Sequence, residues 1–258
     1  MMNERNPESV LGTITEKSLL SVLAMIGLAL GSAPASAAEL TETELFFELN
    51  STDGDLGIHA SIDGGPYSRL EIEDPIERPI LIIQANGRLA RQGLTQLFLE
   101  SAEPPFDELA PEKFFRRFPE GAYEIEAKTL EGEEIEATVE LSHVLAAPVA
   151  NVTVSAMPAA GNCDSVSLPV VTEPVIIDWD PVTTSHPTIG KPGPVEISRY
   201  QFFVEQDDLK LAIDLPPTVT LFQVPTSITA LGGTFKFEII ARTTTSNNTA
   251  IESCYIVP

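Results

Sequence analysis

Asp53 and Asp55 stand two residues apart in the segment Asn50-Ser51-Thr52-Asp53-Gly54-Asp55-Leu56-Gly57. Carboxylates at that spacing, with glycines between them, can wrap oxygen ligands around a hard cation such as calcium. The third acid and the distal glutamate of an EF-hand loop are missing, and Asp-Gly is equally a hairpin-turn dipeptide. Asp53 and Asp55 are therefore calcium candidates by ligand type alone. The three histidines, His59, His143 and His186, offer no pair at H-x-x-x-H spacing, so a zinc site is not expected. No Gly-x-Ser-x-Gly elbow and no glycine-rich phosphate loop occurs. Carboxylate pairs abound only because glutamate abounds, so none singles itself out as a general acid and base. The expectation is a non-enzymatic chain with no catalytic residue and no resident cofactor.

Cys163 and Cys254 are the only cysteines. An even count in an exported chain favours one disulfide, and nothing resembling C-x-x-C points to redox work. Closing so long a loop stabilises by about 4 to 5 kcal/mol in the chain-entropy treatment. Asn50, Asn151 and Asn247 each begin an Asn-x-Ser/Thr triplet, a glycan acceptor in a eukaryotic secretory pathway.

Export itself is read from the N-terminus. Lys17 precedes an apolar run, Leu19 to Leu30, which ends in Gly31-Ser32 and Ala35-Ser36-Ala37. A basic residue, a short apolar run and a small-x-small site make a signal peptide over residues 1–37. The run is shorter than the roughly 20 residues of a membrane span. No cysteine follows it to carry a lipid, and no apolar tail precedes Pro258. The mature protein is expected to be soluble, and secreted or periplasmic, with no membrane insertion.

The formal net charge is −23. A field of that sign repels nucleic acid and anionic membranes, so nucleic-acid partners are excluded as a class. A protein or a carbohydrate remains as partner. The excess of acids is greatest between Ala38 and Ala147, which makes the first part of the mature chain the acidic one.

These residues need elements to hold them, and the pattern is that of strands. Val175, Ile177 and Trp179 alternate with Ile176, Asp178 and Asp180. Tyr200, Phe202 and Val204 share one face of a second strand, and Phe235, Phe237, Ile239 and Ala241 one face of a third. Earlier, Leu45–Leu49 is a strand, and Ile58, Ala60 and Ile62 alternate with His59, Ser61 and Asp63 before a Gly64-Gly65-Pro66 turn. Ile80–Ile83 is wholly apolar, and Leu97 and Leu99 belong to the next strand. Phe114, Phe115 and Phe118 lie on one face of a short helix opened by Pro111. A hairpin follows, with Tyr123, Ile125 and Ala127 inward against Ile135, Ala137, Val139 and Leu141, and glutamates outward.

Trp179 with Pro181, Tyr200 in the next strand, and Leu231 with Gly233-Thr234-Phe235 make residues 148–258 resemble a fibronectin type III domain. The resemblance implies a β-sandwich with Trp179, Tyr200 and Phe235 in its core. Phe235 stands where such domains carry a tyrosine, so the corner hydroxyl is missing. No Arg-Gly-Asp occurs, so integrin-type binding has no support. Residues 38–147 are more loosely Ig-like, on Gly121-Ala122-Tyr123 and the hairpin after it, with Tyr123 in the core. The acidic, single-disulfide character resembles secreted bacterial proteins.

The expected fold is all-β: two tandem Ig-like/fibronectin type III-like β-sandwiches over 38–147 and 148–258, with one short helix in the first. The expected role is an interaction or spacer module, and the alternative is calcium-dependent binding through the acidic first domain. Loops at the sandwich ends, 183–194 and 243–249, are the expected contact surfaces.

Overall fold

The alternating runs become strands in the computed structural model, which describes residues 39–258. The export segment expected in residues 1–37 lies outside the described residues. In chain order the elements are β1 (Leu40–Asn50), β2 (Asp55–Glu73), β3 (Pro79–Gln84), α1 (Gly87–Gln92), β4 (Leu94–Glu100), α2 (Pro111–Arg117), β5 (Gly121–Thr129) and β6 (Glu134–Leu141). They continue with β7 (Thr153–Val154), β8 (Met157–Pro158), β9 (Ile176–Asp178), β10 (Ile197–Gln206), β11 (Leu209–Leu215), β12 (Leu221–Gln223), α3 (Thr226–Thr229), β13 (Gly233–Thr243) and β14 (Asn248–Val257). The fold is all-β.

One sheet runs the length of the molecule in the order β11-β10-β13-β14-β1-β2-β5-β6, with β3 and β4 also on β2. A second sheet, β12-β9-β7-β8, belongs to the C-terminal half. There, Val175, Ile177, Trp179, Tyr200, Phe202, Val204, Phe235, Phe237, Ile239, Ala241 and Tyr255 fill one core between facing strands. Trp179 stacks on Phe202 and meets Tyr200 edge-on at 5.5 Å. Its indole N–H has no partner among the described residues. The Tyr200 hydroxyl accepts the Val182 N–H at 2.9 Å. Cys163 and Cys254 form a disulfide with a Cα separation of 4.8 Å, tying the loop before β9 to β14.

The N-terminal half encloses its own core by a different route. The expected turn at Gly64-Gly65-Pro66 does not form; β2 runs through it as one 19-residue strand. Its first part lies between β1 and β4, its last between β5 and β3, and register shifts fall on either side of Tyr67. Glycines and an irregular register let a strand bend without ending, so a single strand serves both walls. Helix α2 closes the space: Phe114 and Phe115 are buried against Phe47. A further helix not expected from the pattern, α1, interrupts the edge between β3 and β4 and buries nothing.

Tyr123 is fully buried and donates to the Pro119 carbonyl at 3.0 Å. Phe235, its counterpart, stacks on Tyr255 instead. Gly121 and Gly233, the first residues of β5 and β13, both take positive φ, at 136° and 95°, a conformation that favours glycine. Leu231, part of the family resemblance, is 58% exposed.

Candidate binding surface

β1 and β14 pair in parallel over Glu48–Asn50 and Asn248–Ala250, so the two halves share one sheet. The pairing is reinforced by buried side chains. Asn247 accepts the Phe47 N–H at 2.9 Å and donates to the Ser142 and Val144 carbonyls at 2.7 and 3.0 Å. Thr249 donates to the Ala146 carbonyl at 2.9 Å. Thr52 accepts the Glu252 N–H at 2.8 Å. Buried amides and hydroxyls are tolerated only when paired in this way, and truncating any of them would strand the others.

The two loops expected as contact surfaces, 183–194 and 243–249, also take part in this junction, through part of their length. Thr183, Thr184, Pro187, Thr188, Pro192 and Pro194 stay exposed, as do Thr244 and Thr245. Thr184 accepts the Ala147 N–H, Leu145 accepts the His186 N–H, and His143 accepts the Lys191 N–H. Lys191 also pairs with Glu120. Thr243, Asn247, Asn248 and Thr249 are buried, so Asn247 cannot accept a glycan in the folded protein. The lateral reach of β14 onto β1 is a long-range pairing that no local pattern announces.

The surface left open is the outer face of the long sheet. Strand alternation sends Leu45, Phe47 and Leu49 inward, and Glu42, Glu44, Phe46 and Glu48 outward. Beside them stand His59 and Ser61 of β2, Phe98 and Glu100 of β4, and Asn248 of β14. Across the junction come Glu238, Ile240 and Arg242 of β13, Arg199, Gln201 and Phe203 of β10, and Lys210 of β11. Together they line a concavity of about 440 Å³ that draws on both halves.

Arg242 is its fixed point. The guanidinium is 3% exposed, pairs with Glu44, donates to Asn248 Oδ1 at 3.1 Å and lies 4.5 Å from the centre of the Phe46 ring. A buried cation held by a carboxylate, an amide and an aromatic face is a paired one. His59 lies on the outward face, in phase with Ser61, and is yet only 4% exposed. Its ring sits near Phe46 and Phe98, and Nε2 lies 2.8 Å from Glu103 Oε1. Burial acts to lower its pKa, but the Glu103 hydrogen bond and the surrounding carboxylates win and raise it. Lys210 lies over the Phe203 ring at 4.8 Å.

Glu238 stands directly opposite Glu252 across β13 and β14. Burial first, then the charges of Glu48 and Glu252, push its pKa up to about 7. Asp55 is pushed up to about 6 by burial and by Glu103, Asp53, Glu252 and Glu48. Like charges gathered at a partly buried seam disfavour ionisation of the most enclosed member.

The structure places Asp53 and Asp55 at the β1–β2 turn. Asn50 Oδ1 accepts the Thr52 and Asp53 N–H groups at 3.0 and 3.2 Å, and Asn50 Nδ2 donates to Asp53 Oδ2 at 3.2 Å. The segment is thus organised as an Asx-capped turn. Among the described residues no three His, Cys, Asp or Glu side chains converge on a position for a metal ion. His143 and His186 lie apart from the concavity: His143 Nε2 meets the Phe118 carbonyl, and His186 Nδ1 accepts the Ile189 N–H. What the concavity can do is bind, through exposed Phe98, half-buried Phe203 and charges of both signs. Arg242, Phe46 and Phe98 were missed because each sits singly on a different strand.

No protein-family model matches the chain, and no curated protein does. Among solved structures the chain is similar to a tetra-tandem repeat in the extending region of a large adhesion protein, at 12% identity and a TM-score of 0.26, covering 86% of this chain and 50% of that one. It is similar to the human OSCAR ligand-binding domain at 10% identity and a TM-score of 0.27, covering 84% and 99%. A calcium-stabilised adhesin that helps an Antarctic bacterium reach out and bind ice gives 11% identity and a TM-score of 0.26, covering 85% and 50%. The chain spans half of the first and third of these. Likeness at such scores carries no argument, and the fold class rests on the strand pairing itself.

Proposed function

We propose that the protein is an exported, non-enzymatic interaction and spacer module, secreted or periplasmic, in which the two β-rich halves act as one rigid body. The second is a fibronectin type III-like domain and the first is Ig-like. The observation that carries this reading is the β1–β14 junction, with Asn247 and Thr249 bonded to the connecting segment Ser142–Ala146. A hinge would leave that segment solvated; here its carbonyls are consumed by buried side chains. The fixed angle makes the outer concavity a single surface built from both halves, with Phe98 64% exposed at its rim. A protein or carbohydrate partner docks there through aromatic contact and charge.

The test uses the purified protein against glycan arrays and extracellular protein extracts, with and without calcium, beside Phe98→Ser and Lys210→Glu variants. Capture that both variants weaken, with no turnover of ester, peptide or glycoside substrates, is the expected result. Capture indifferent to both variants moves the docking surface elsewhere and overturns this assignment. Hydrolysis of any substrate overturns the non-enzymatic reading, and capture that requires calcium overturns the metal-free one.

A further inference from the structure

The free edges of the long sheet are not alike. β6 carries Glu134, Glu136 and Glu140, and β11 carries Lys210 and Asp214, the charges by which edge strands ordinarily repel a second chain. β3 has no such guard. Its sequence is Pro-Ile-Leu-Ile-Ile-Gln, it pairs only with β2, and Ile80 and Ile82 are 37% and 52% exposed. Short apolar, β-branched, uncharged edges are those that add another strand.

The charge around β3 says what that strand is. From Arg78 to Leu99 the chain has three arginines and no carboxylate, although the whole protein carries −23. The exposed acid Glu77 lies just before β3, and the exposed bases Arg88 and Arg91 just after it. Arg78, between Glu77 and β3, is paired with Asp74, so the charge left over is negative at the start of the element and positive at its end, and such an element complements itself when reversed. We propose that β3 of one copy pairs antiparallel with β3 of a second copy about a two-fold axis, extending the sheet across a homodimer. In the register that keeps both outer faces on one side, Ile80 stands opposite Ile82 of the second copy, and the Glu77 end meets the arginine end. Such an isologous contact closes on itself and does not propagate into fibres. It also lies at the segment where self-repulsion of so acidic a protein is least.

Sedimentation equilibrium of the purified protein reads this directly. The expected result is a concentration-dependent dimer that Ile82→Lys weakens by at least about tenfold, since two like charges then face the pairing edge. Ile213→Lys on the β11 edge leaves the dimer unchanged. Glu77→Arg, a surface change that spares the β3 core contacts, also weakens the dimer, and Arg88→Glu with Arg91→Glu in the same chain restores it. A protein that stays monomeric into the high micromolar range overturns the proposal. A dimer indifferent to Ile82→Lys and Glu77→Arg overturns it too, and assigns the contact to another face.

Discussion

The two halves of this molecule solve the same problem with different means. The C-terminal half faces one sheet with another, and the core between them is ruled by alternation: Val175, Ile177 and Trp179 on one side, Tyr200, Phe202 and Phe235 on the other. The N-terminal half has no second sheet among the described residues and instead bends β2 so that one strand joins both walls, with α2 as the plug. The C-terminal half also has a covalent tie, whereas the N-terminal half has none. Two facing sheets need only local patterning, while a bent strand needs its neighbours to tell it where to bend.

The largest effect separating the halves concerns that tie. Cys163→Ala with Cys254→Ala should cost about 4 to 5 kcal/mol, because the 91-residue separation would be closed by nothing in the unfolded chain. Denaturant melts under non-reducing conditions measure it. Hydrogen exchange on the same variant should show protection lost across both halves, since they share a sheet. Loss confined to residues after Pro148 would make the halves energetically independent.

Next in size is Trp179→Ala, expected to cost about 3 to 5 kcal/mol as other large core deletions do. The native indole should emit to the blue, as its 2% exposure requires. A solvent-like emission maximum, or a variant that melts like the parent, would remove Trp179 from the core.

The junction is sharper still as a comparison, because it belongs to both halves. Asn247→Ala leaves the Phe47 N–H and two buried carbonyls without their partner, at a cost of about 2 to 4 kcal/mol. The parent should unfold in a single calorimetric transition and the variant in two. Two transitions in the parent would break the rigid-body reading.

The smallest effect is protonic. The folded pKa of Glu238 is raised to about 7 from an ordinary carboxylate value. The folded state therefore holds a proton that the unfolded state has released, and stability falls as pH rises from about 4.5 to about 7. Glu238→Gln should leave the melting temperature at pH 5 unchanged and raise it at pH 8, by on the order of 1 to 2 kcal/mol of stability. An unchanged slope in the variant would locate the pH response elsewhere.

How much of this was legible beforehand differs along the chain. Period-two runs around Trp179, Tyr200, Phe235 and Tyr123 gave their strands and their inward faces, because alternation on a pleated strand is a local property. Pairing of Cys163 with Cys254 followed from their being the only two cysteines. Gly64-Gly65-Pro66 read as a turn and proved a bend, because the same residues permit both and only β1, β4, β3 and β5 flanking β2 decide. The outward phase of His59 was legible, but its burial was not, because Phe46, Phe98 and Glu103 come to it from three other segments.

The sequence by itself determined the class of strand-built fold, the inward residues of most strands, the disulfide and the acidic net charge. Each depends on composition or on spacing of a few residues, which the chain carries with it before it folds. Only the tertiary structure decided that β14 pairs with β1, that Asn247 and Thr249 are buried in the junction, and that Arg242, Phe46 and Phe98 share one concavity. Those depend on contacts between residues far apart in the chain, about two hundred positions for β14 on β1, and no local pattern encodes a partner at that distance.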